Sequence, residues 1–305
     1  MRAGMHAPAS SPASIAPFVV LALGVAVFSA MDAMMKGLTL ALGAFNAVFW
    51  RQLIAVPLSG AIYFSTRSGW PTRAMLRRYM IRGAVNAASA VTFFFGLARM
   101  PIAEAITLSF VAPIMALYLA ALLLREKIGA RAVMASLLSF CGVLLILWVR
   151  LGQPAGARSG WGAAAVLVGA LLYAYNLILL RQQALAAGPR EVAFFQNLTV
   201  VIWLALFAPF LAVLPPARAV PALGGSAVLT IVAMLLFAWG YRRAEAQHLA
   251  TLEYSALLWG ALFGYLVFGE HIAVTTILGA ILIVGGCLLA ARAGRQPMSP
   301  AEGPA

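Results

Sequence analysis

Charge is the scarcest property of this chain. Only 10% of its 305 residues are Asp, Glu, Lys or Arg, against about 25% in ordinary soluble domains. Acidic residues are rarest, 8 against 21 basic ones, and the chain has three histidines and two cysteines. His6, His248 and His271 are scattered, and neither HxxxH nor DDxxD occurs. An embedded lipid-modifying enzyme, which needs clustered acids, bases or metal ligands, therefore has nothing to work with, and no metal or cofactor is expected. Cys141 and Cys287 lie in apolar runs without CxxC spacing and read as small packing residues. Hydrophobic residues, by contrast, make up 64% of the chain, so it reads as an integral membrane protein in a lipid bilayer. The net charge of +13 is spread over loops rather than gathered on one face; it excludes a nucleic-acid partner and points to orientation in the membrane.

Residues 1–14 are rich in Ala, Pro and Ser without periodicity and are expected to form a disordered cytoplasmic tail. A bilayer core about 30 Å thick takes about 20 apolar residues per helix. Ten spans fit that ruler, at 15–37, 43–64, 79–98, 102–124, 131–150, 161–182, 191–213, 222–241, 249–268 and 272–292, with a tail at 293–305. The runs lack barrel-type alternation, which leaves helices as the conformation that satisfies the backbone in lipid. With the N-terminus inside, 14 Lys and Arg residues fall in the cytoplasmic connections and tails and 5 in the opposite ones. That asymmetry predicts both termini on the cytoplasmic side of the plasma (inner) membrane.

The stretch Gly96–Leu145 returns, diverged, at Gly240–Leu289. At an offset of 144 the copies match at Arg99/Arg243, Thr107/Thr251, Glu126/Glu270, Ile128/Ile272 and Gly142/Gly286. Asp32 aligns with Asn176 at the same offset, and Phe49–Leu53 (FWRQL) resembles Phe194–Leu198 (FFQNL) one position further. Ten spans in two copies make two halves of five, 15–150 and 151–292. Five is odd, so the second half enters the membrane from the opposite side. The expected fold is an all-α membrane protein of two inverted five-helix repeats, an arrangement in which secondary transporters bind substrate between the halves.

These features resemble the EamA-like ten-helix members of the drug/metabolite transporter superfamily. The resemblance rests on FWRQLIAVPL, on PIAEAITLSFVAPIMALYLAALLLREKI and its partner ATLEYSALLWGALFGYLVFGEHI, and on the Gly-containing helix after each. It covers residues 15–292 and implies a transporter rather than an enzyme. The implied partner is a small metabolite, with a coupling proton or counter-substrate; a monomer and a homodimer both remain open. The rival class is a non-transporting membrane scaffold.

Polar groups at bilayer depth are costly, so each is a candidate for function. Asp32, about 9 Å outward of the centre of span 1, and Arg51, about 5 Å outward of the centre of span 2, admit two readings: lining the outer part of a cavity, where Arg51 contacts an anionic group, or a permanent ion pair between helices. Asn176, Gln196 and Asn197 are their counterparts in the second half. Glu253 and Tyr254 on span 9 suit substrate hydrogen bonding, proton coupling or a helix-to-helix bond. Asn86 on span 3 needs amide partners in lipid, and Tyr175 and Trp239 offer either stacking surfaces or packing. Arg82 reads as snorkelling to the headgroups. Glu126 and Glu270 are expected to pair with a nearby Arg or backbone amides, and Pro57, Pro113 and Pro209 to interrupt spans 2, 4 and 7.

Overall fold

The computed structural model describes residues 16–65, 69–112, 114–116, 118–119, 130–151, 156–184, 186–241 and 255–293. Among the described residues each expected span has a helix: α1 (Ala16–Leu42), α2 (Ala44–Phe64), α3 (Arg73–Leu97), α4 (Ile102–Ser109), α5 (Ala130–Leu151), α6 (Gly156–Ala184), α7 (Pro189–Ala205), α8 (Val220–Tyr241), α9 (Ala256–Phe268) and α10 (Val274–Ala293). No strand occurs among the described residues. By length and composition α1, α2, α3, α6 and α8 are each able to cross a membrane, and α4, α5, α9 and α10 carry shorter apolar stretches. Large apolar side chains on the outside of the bundle, such as Leu137, Phe140 and Leu144 on α5 and Ile277 and Ile281 on α10, are exposed. Such a surface is suited to lipid rather than water.

Helix ends follow local chemistry. α3 begins at Arg73, six residues before the apolar run, because Thr72 Oγ1 accepts a bond from Met75 N at 3.3 Å and caps the first turn. α7 stops at Ala205, short of the expected 213, and Pro209 lies beyond it in a separate turn, Ala208–Leu211. Its ring would clash with the carbonyl four residues earlier, that of Ala205. Pro57 does lie inside α2, while Pro113 is outside the described residues. Gly43, at φ 81°, makes the one-residue turn from α1 to α2, a conformation that L side chains resist.

The two halves are arranged as inverted copies. Contacts between repeat-equivalent residues mark the axis that relates them: Ser139 Oγ of α5 donates to Ile283 O of α10 at 3.2 Å, 144 positions apart. Gln52 Nε2 of α2 donates to Asn197 Oδ1 of α7 at 3.3 Å, 145 positions apart. Off the axis, contacts come in pairs. The backbone of Phe93 on α3 lies against Gly169 of α6, where a Cβ would stand 3.1 Å from Phe93 N. Phe237, the repeat mate of Phe93, lies on α8 over Gly24 of α1 at 2.9 Å by the same measure. Helices at these crossings approach closely because glycine presents no side chain.

Gly96 is the least replaceable of the packing glycines, since a Cβ there would stand 2.5 Å from the backbone oxygen of Gly162 on α6. Backbone cannot rotate aside as a side chain can. Gly96→Val is expected to cost about 1–3 kcal/mol by overpacking, read as a lower thermal midpoint in detergent, whereas the same change at Gly188, which has open space around it, should leave the midpoint within a degree or two.

Candidate functional site

The buried polar groups fall into three tiers along the bundle. At the end opposite the chain termini, Lys36 on α1 forms an ion pair with Glu270 in the α9–α10 turn and donates to Met100 O. The second carboxylate oxygen of Glu270 accepts from Ile102 N, the first residue of α4, at 2.9 Å. Gly269 at φ 65° sends the chain back so that Glu270 N reaches Gly264 O at 3.0 Å. Glu270 therefore does take a backbone amide, as the sequence suggests, but its cation is a lysine on α1 and not an arginine. It ties one half of the molecule to the other. Its repeat mate Glu126 is outside the described residues.

At the terminal end, Arg82 on α3 does not snorkel. It is buried, its Nε donates to Asn176 Oδ1 at 3.0 Å and its Nη1 to Gln183 Oε1 at 2.8 Å, both on α6. Two amide oxygens inside the bundle replace the headgroups that a snorkelling arginine would seek. Gln183 passes the chain of bonds on to Arg78 O at 3.0 Å. Beside this clamp Tyr79 donates to Glu191 Oε1 at 2.9 Å, joining α3 to α7, and its ring stacks on Phe195.

Between the tiers lies a group of polar side chains with unused bonding capacity. Arg51, on α2, is 8% exposed. Its Nη1 has only long contacts, 3.5 Å to Met31 Sδ and 3.4 Å to Thr230 Oγ1, its guanidinium lies 5.7 Å from the centre of the Phe94 ring, and its Nε has no partner. Asp32 on α1 is 6% exposed. Among the described residues no hydrogen bond or ion pair joins Asp32 and Arg51. The permanent clamp between α1 and α2 is thus not formed. On α7, both amide atoms of Gln196 are buried without partners. Gln196 shares its helix stripe with Val200 and Trp203, which pack into the central core. Asn197 is committed to the axis, accepting from Gln52 and donating to Ser59 Oγ at 3.1 Å.

The remaining sequence candidates separate. Asn176 is held by Arg82, while Asn86 on α3, Tyr175 on α6 and Trp239 on α8 are half-buried. Asn86 and Tyr175 are the repeat mates, 144 positions away, of Thr230 and Met31, the two residues that touch Arg51. Glu253 and Tyr254 lie outside the described residues. Sequence reasoning passed over Thr230, Gln52 and Gln183. Gln52 was readable, since it adjoins Arg51 in a motif whose copy puts Asn197 at the same place; Thr230 and Gln183 are lone polar residues without a pattern.

A cavity of about 530 Å³ opens at the end opposite the termini, lined by Met34, Leu38 and Ala41 of α1, Asn46 of α2, Arg218 in the turn before α8 and Ala222 in its first turn. Its two helix stripes run inward, Ala41, Leu38, Met34 and Met31 on α1 and Ala222, Ser226 and Thr230 on α8. Both end on residues that contact Arg51.

An all-helical bundle of two inverted repeats with polar groups at its centre is an architecture of membrane transporters. The chain belongs to the EamA-like transporter family, whose model matches it twice, over residues 16–148 and 160–292. It is 26% identical to the pseudopaline exporter CntI of Pseudomonas aeruginosa (strain UCBPP-PA14), over 87% of this chain and 92% of that protein. It is 28% identical to a riboflavin transporter of Rhizobium johnstonii, over 87% of each chain. A protein known by crystal structure shares the fold, with a TM-score of 0.61 and 19% identity over 92% of this chain and 99% of that one.

The Lys36–Glu270 pair is open to a direct check. Removing one partner of a buried pair strands the other charge, so Lys36→Met and Glu270→Gln should each cost on the order of 3 kcal/mol. The double variant should cost clearly less than their sum, measured by thermal unfolding in detergent.

Proposed function

We propose that this chain is a secondary transporter of a small polar or amphipathic metabolite, working by alternating access. The two five-helix halves, 15–150 and 151–292, rock about their common axis. The observation that carries the reading is the pair Arg51 and Gln196. They occupy equivalent positions in the two halves, flank the Gln52–Asn197 bond on the axis, and keep buried polar atoms without partners. Buried polar atoms left unmatched cost about 1–3 kcal/mol each, a burden that suits a place where a substrate supplies the partners. Inverted-repeat transporters bind at such a place, between the halves.

On this reading Asp32, Arg51 and Gln196 form the inner wall of the site, with Asn86, Tyr175 and Trp239 around it, while Asn176 and Asn197 carry contacts between the halves; Glu253 and Tyr254 remain candidates from the sequence. The loop charges support a topology with both termini in the cytoplasm, which places the cavity at Arg218 on the periplasmic side as the outer approach. Lys36–Glu270 and Arg82–Asn176 then lie at opposite mouths, where one set of contacts between halves loosens as the other tightens. Coupling is to a proton or a counter-substrate, with Asp32 and Glu253 as the carboxylates available. Relatives named for pseudopaline and for riboflavin support a small-molecule cargo and leave its identity to this chain's own site.

The test is counterflow in proteoliposomes against a broad metabolite panel, followed by variants with the cargo found. Arg51→Gln and Gln196→Leu should each lower transport efficiency about tenfold or more, the worth of a charge-assisted hydrogen bond, while membrane insertion and thermal midpoint stay near wild type. Transport unchanged in both variants would remove the centre of the bundle from the substrate path.

A further inference from the structure

We propose that the outer cavity is a binding site for a soluble amphipathic anion, whose charged group is held by Arg218 and whose apolar body fills the space between α1 and α8. The proposal rests on the reading of this cavity as the approach to the central site, and it names the class of cargo that uses it. At about 530 Å³ the space lies within the range of about 300–1,000 Å³ found for small-molecule sites. Its walls are Met34, Leu38 and Ala41 of α1, Ala222 of α8, and Val213 and Leu214 of the connection between α7 and α8. These side chains give an organic body surface to lie on and no group to bond.

Two polar side chains reach the cavity, and one of them is available. Asn46 is spent on the wall itself: its Nδ2 donates to Leu42 O and Leu211 O, each at 3.2 Å, and its Oδ1 accepts from Val213 N at 2.9 Å. Trp50 Nε1 donates to the same segment at Val213 O, 2.9 Å away. Side chains of the first half thus fix a connection of the second as one wall, and Pro215 and Pro216 stiffen its continuation. The space is built before anything enters it, which spares a ligand the cost of ordering its walls. Arg218 stands at the middle of the turn Ala217–Ala219, which Ala219 N closes on Pro216 O at 2.8 Å. It carries the one charge on the lining among the described residues. Its side chain is exposed, and no hydrogen bond or ion pair with a described residue engages it.

That arrangement selects by charge and by body together. An anion gains charge-assisted hydrogen bonds from Arg218, while a cation is repelled, since among the described residues no carboxylate lines the cavity. A neutral molecule gains the apolar contact alone, and a small inorganic anion gains Arg218 and leaves the walls unfilled. An outer-leaflet phospholipid would also offer an anion and an apolar body, but the place of the cavity argues against it. The space lies between the halves, with α1 and α2 on one side and residues 213–222 on the other. Its stripe on α8 runs about 12 Å from Ala222 to Thr230, and Thr230 touches Arg51. A soluble anion released by Arg218 therefore meets a second guanidinium on its way inward, so the same kind of group receives it at both ends of the path.

The experiment measures equilibrium binding to the full chain in phosphatidylcholine nanodiscs, with empty nanodiscs subtracted. The probes are naphthoate, the same ring system as an alcohol (naphthylmethanol) and as an amine (naphthylmethylamine), and acetate as an anion without a body. Naphthoate should bind at least tenfold tighter than the other three. Arg218→Gln should weaken naphthoate about tenfold, the worth of a charge-assisted hydrogen bond, and leave naphthylmethanol unchanged. Ala222→Phe, which fills the cavity, should weaken naphthoate and naphthylmethanol alike. Arg218 is exposed, so its variant keeps the wild-type thermal midpoint and decides alone where Ala222→Phe lowers that midpoint. The proposal is overturned if any of the other probes binds as tightly as naphthoate, if Arg218→Gln binds naphthoate like wild type, or if Ala222→Phe does so with its midpoint intact. It is overturned as well if phosphatidylglycerol added to the disc displaces naphthoate at a salt concentration that screens surface charge, because a lipid then holds the site. The transport reading beneath it fails separately, when naphthoate binds as described and no metabolite exchanges in counterflow.

Discussion

The meeting of each half with its own inverted copy is the constraint on which the rest of this molecule depends. Where repeat mates touch, as Ser139 touches Ile283 and Gln52 touches Asn197, the contact must lie on the axis that exchanges the halves. Side chains there are presented to their own counterparts, so large residues compete for one space. The α5–α10 crossing answers with Gly142 and Gly279, each close enough to the other's backbone oxygen that a Cβ would stand 2.7 and 3.1 Å from it. Gln52 and Asn197 answer differently, by pairing a donor with an acceptor. With no water at bilayer depth, such a pair holds the axis in polar terms beside its neighbours along the helix, Arg51 and Gln196.

Divergence between the copies then assigns different work to equivalent places. A strictly symmetric dimer of halves would spend its polar groups alike at both ends. This chain joins the end opposite the termini with Lys36, Glu270 and the first amide of α4, and the terminal end with Arg82, Asn176 and Gln183. Both are links between halves, but one is an ion pair and the other a set of charged-to-neutral hydrogen bonds. The first depends on two charges remaining together in a dry place and the second on amides that a neighbouring helix can also supply. The two ends therefore differ in what it takes to separate them.

The architecture was legible because it is written in quantities that survive substitution: apolar length, the 144-residue repeat, and the scarcity of charge. Helix ends were less so. Thr72 extends α3 through a polar, arginine-bearing turn that a hydropathy ruler discards, and Pro209 ends α7 while the apolar run continues past it. Among the candidate site residues, those of rare type for a membrane segment stand out in the sequence, Asp32, Arg51 and Gln196 among them. What the chain does not spell out is where a long side chain goes. Arg82 has the reach to leave the bundle and instead turns to α6, because Asn176 and Gln183, seven positions apart on one helix face, offer two oxygens together. That choice depends on the α3–α6 crossing, and so on tertiary structure.

The same reasoning separates stability from function among the buried polar residues. Lys36, Glu270, Arg82, Asn176, Gln52 and Asn197 have partners supplied by the fold, and their removal acts first on the fold. Among the described residues Asp32 and Gln196 have no hydrogen-bond partner, and Arg51 has only long contacts and a free Nε; a chain under selection for stability alone would be better served by apolar residues of similar volume in their place. Their cost is borne where the two halves face each other, beneath a cavity whose helix stripes end on the contacts of Arg51. Two of the three, Arg51 and Gln196, are repeat mates of opposite chemistry, one charged and one neutral. The two halves therefore present different chemistry at the same place in the repeat, a guanidinium in one and a neutral amide in the other.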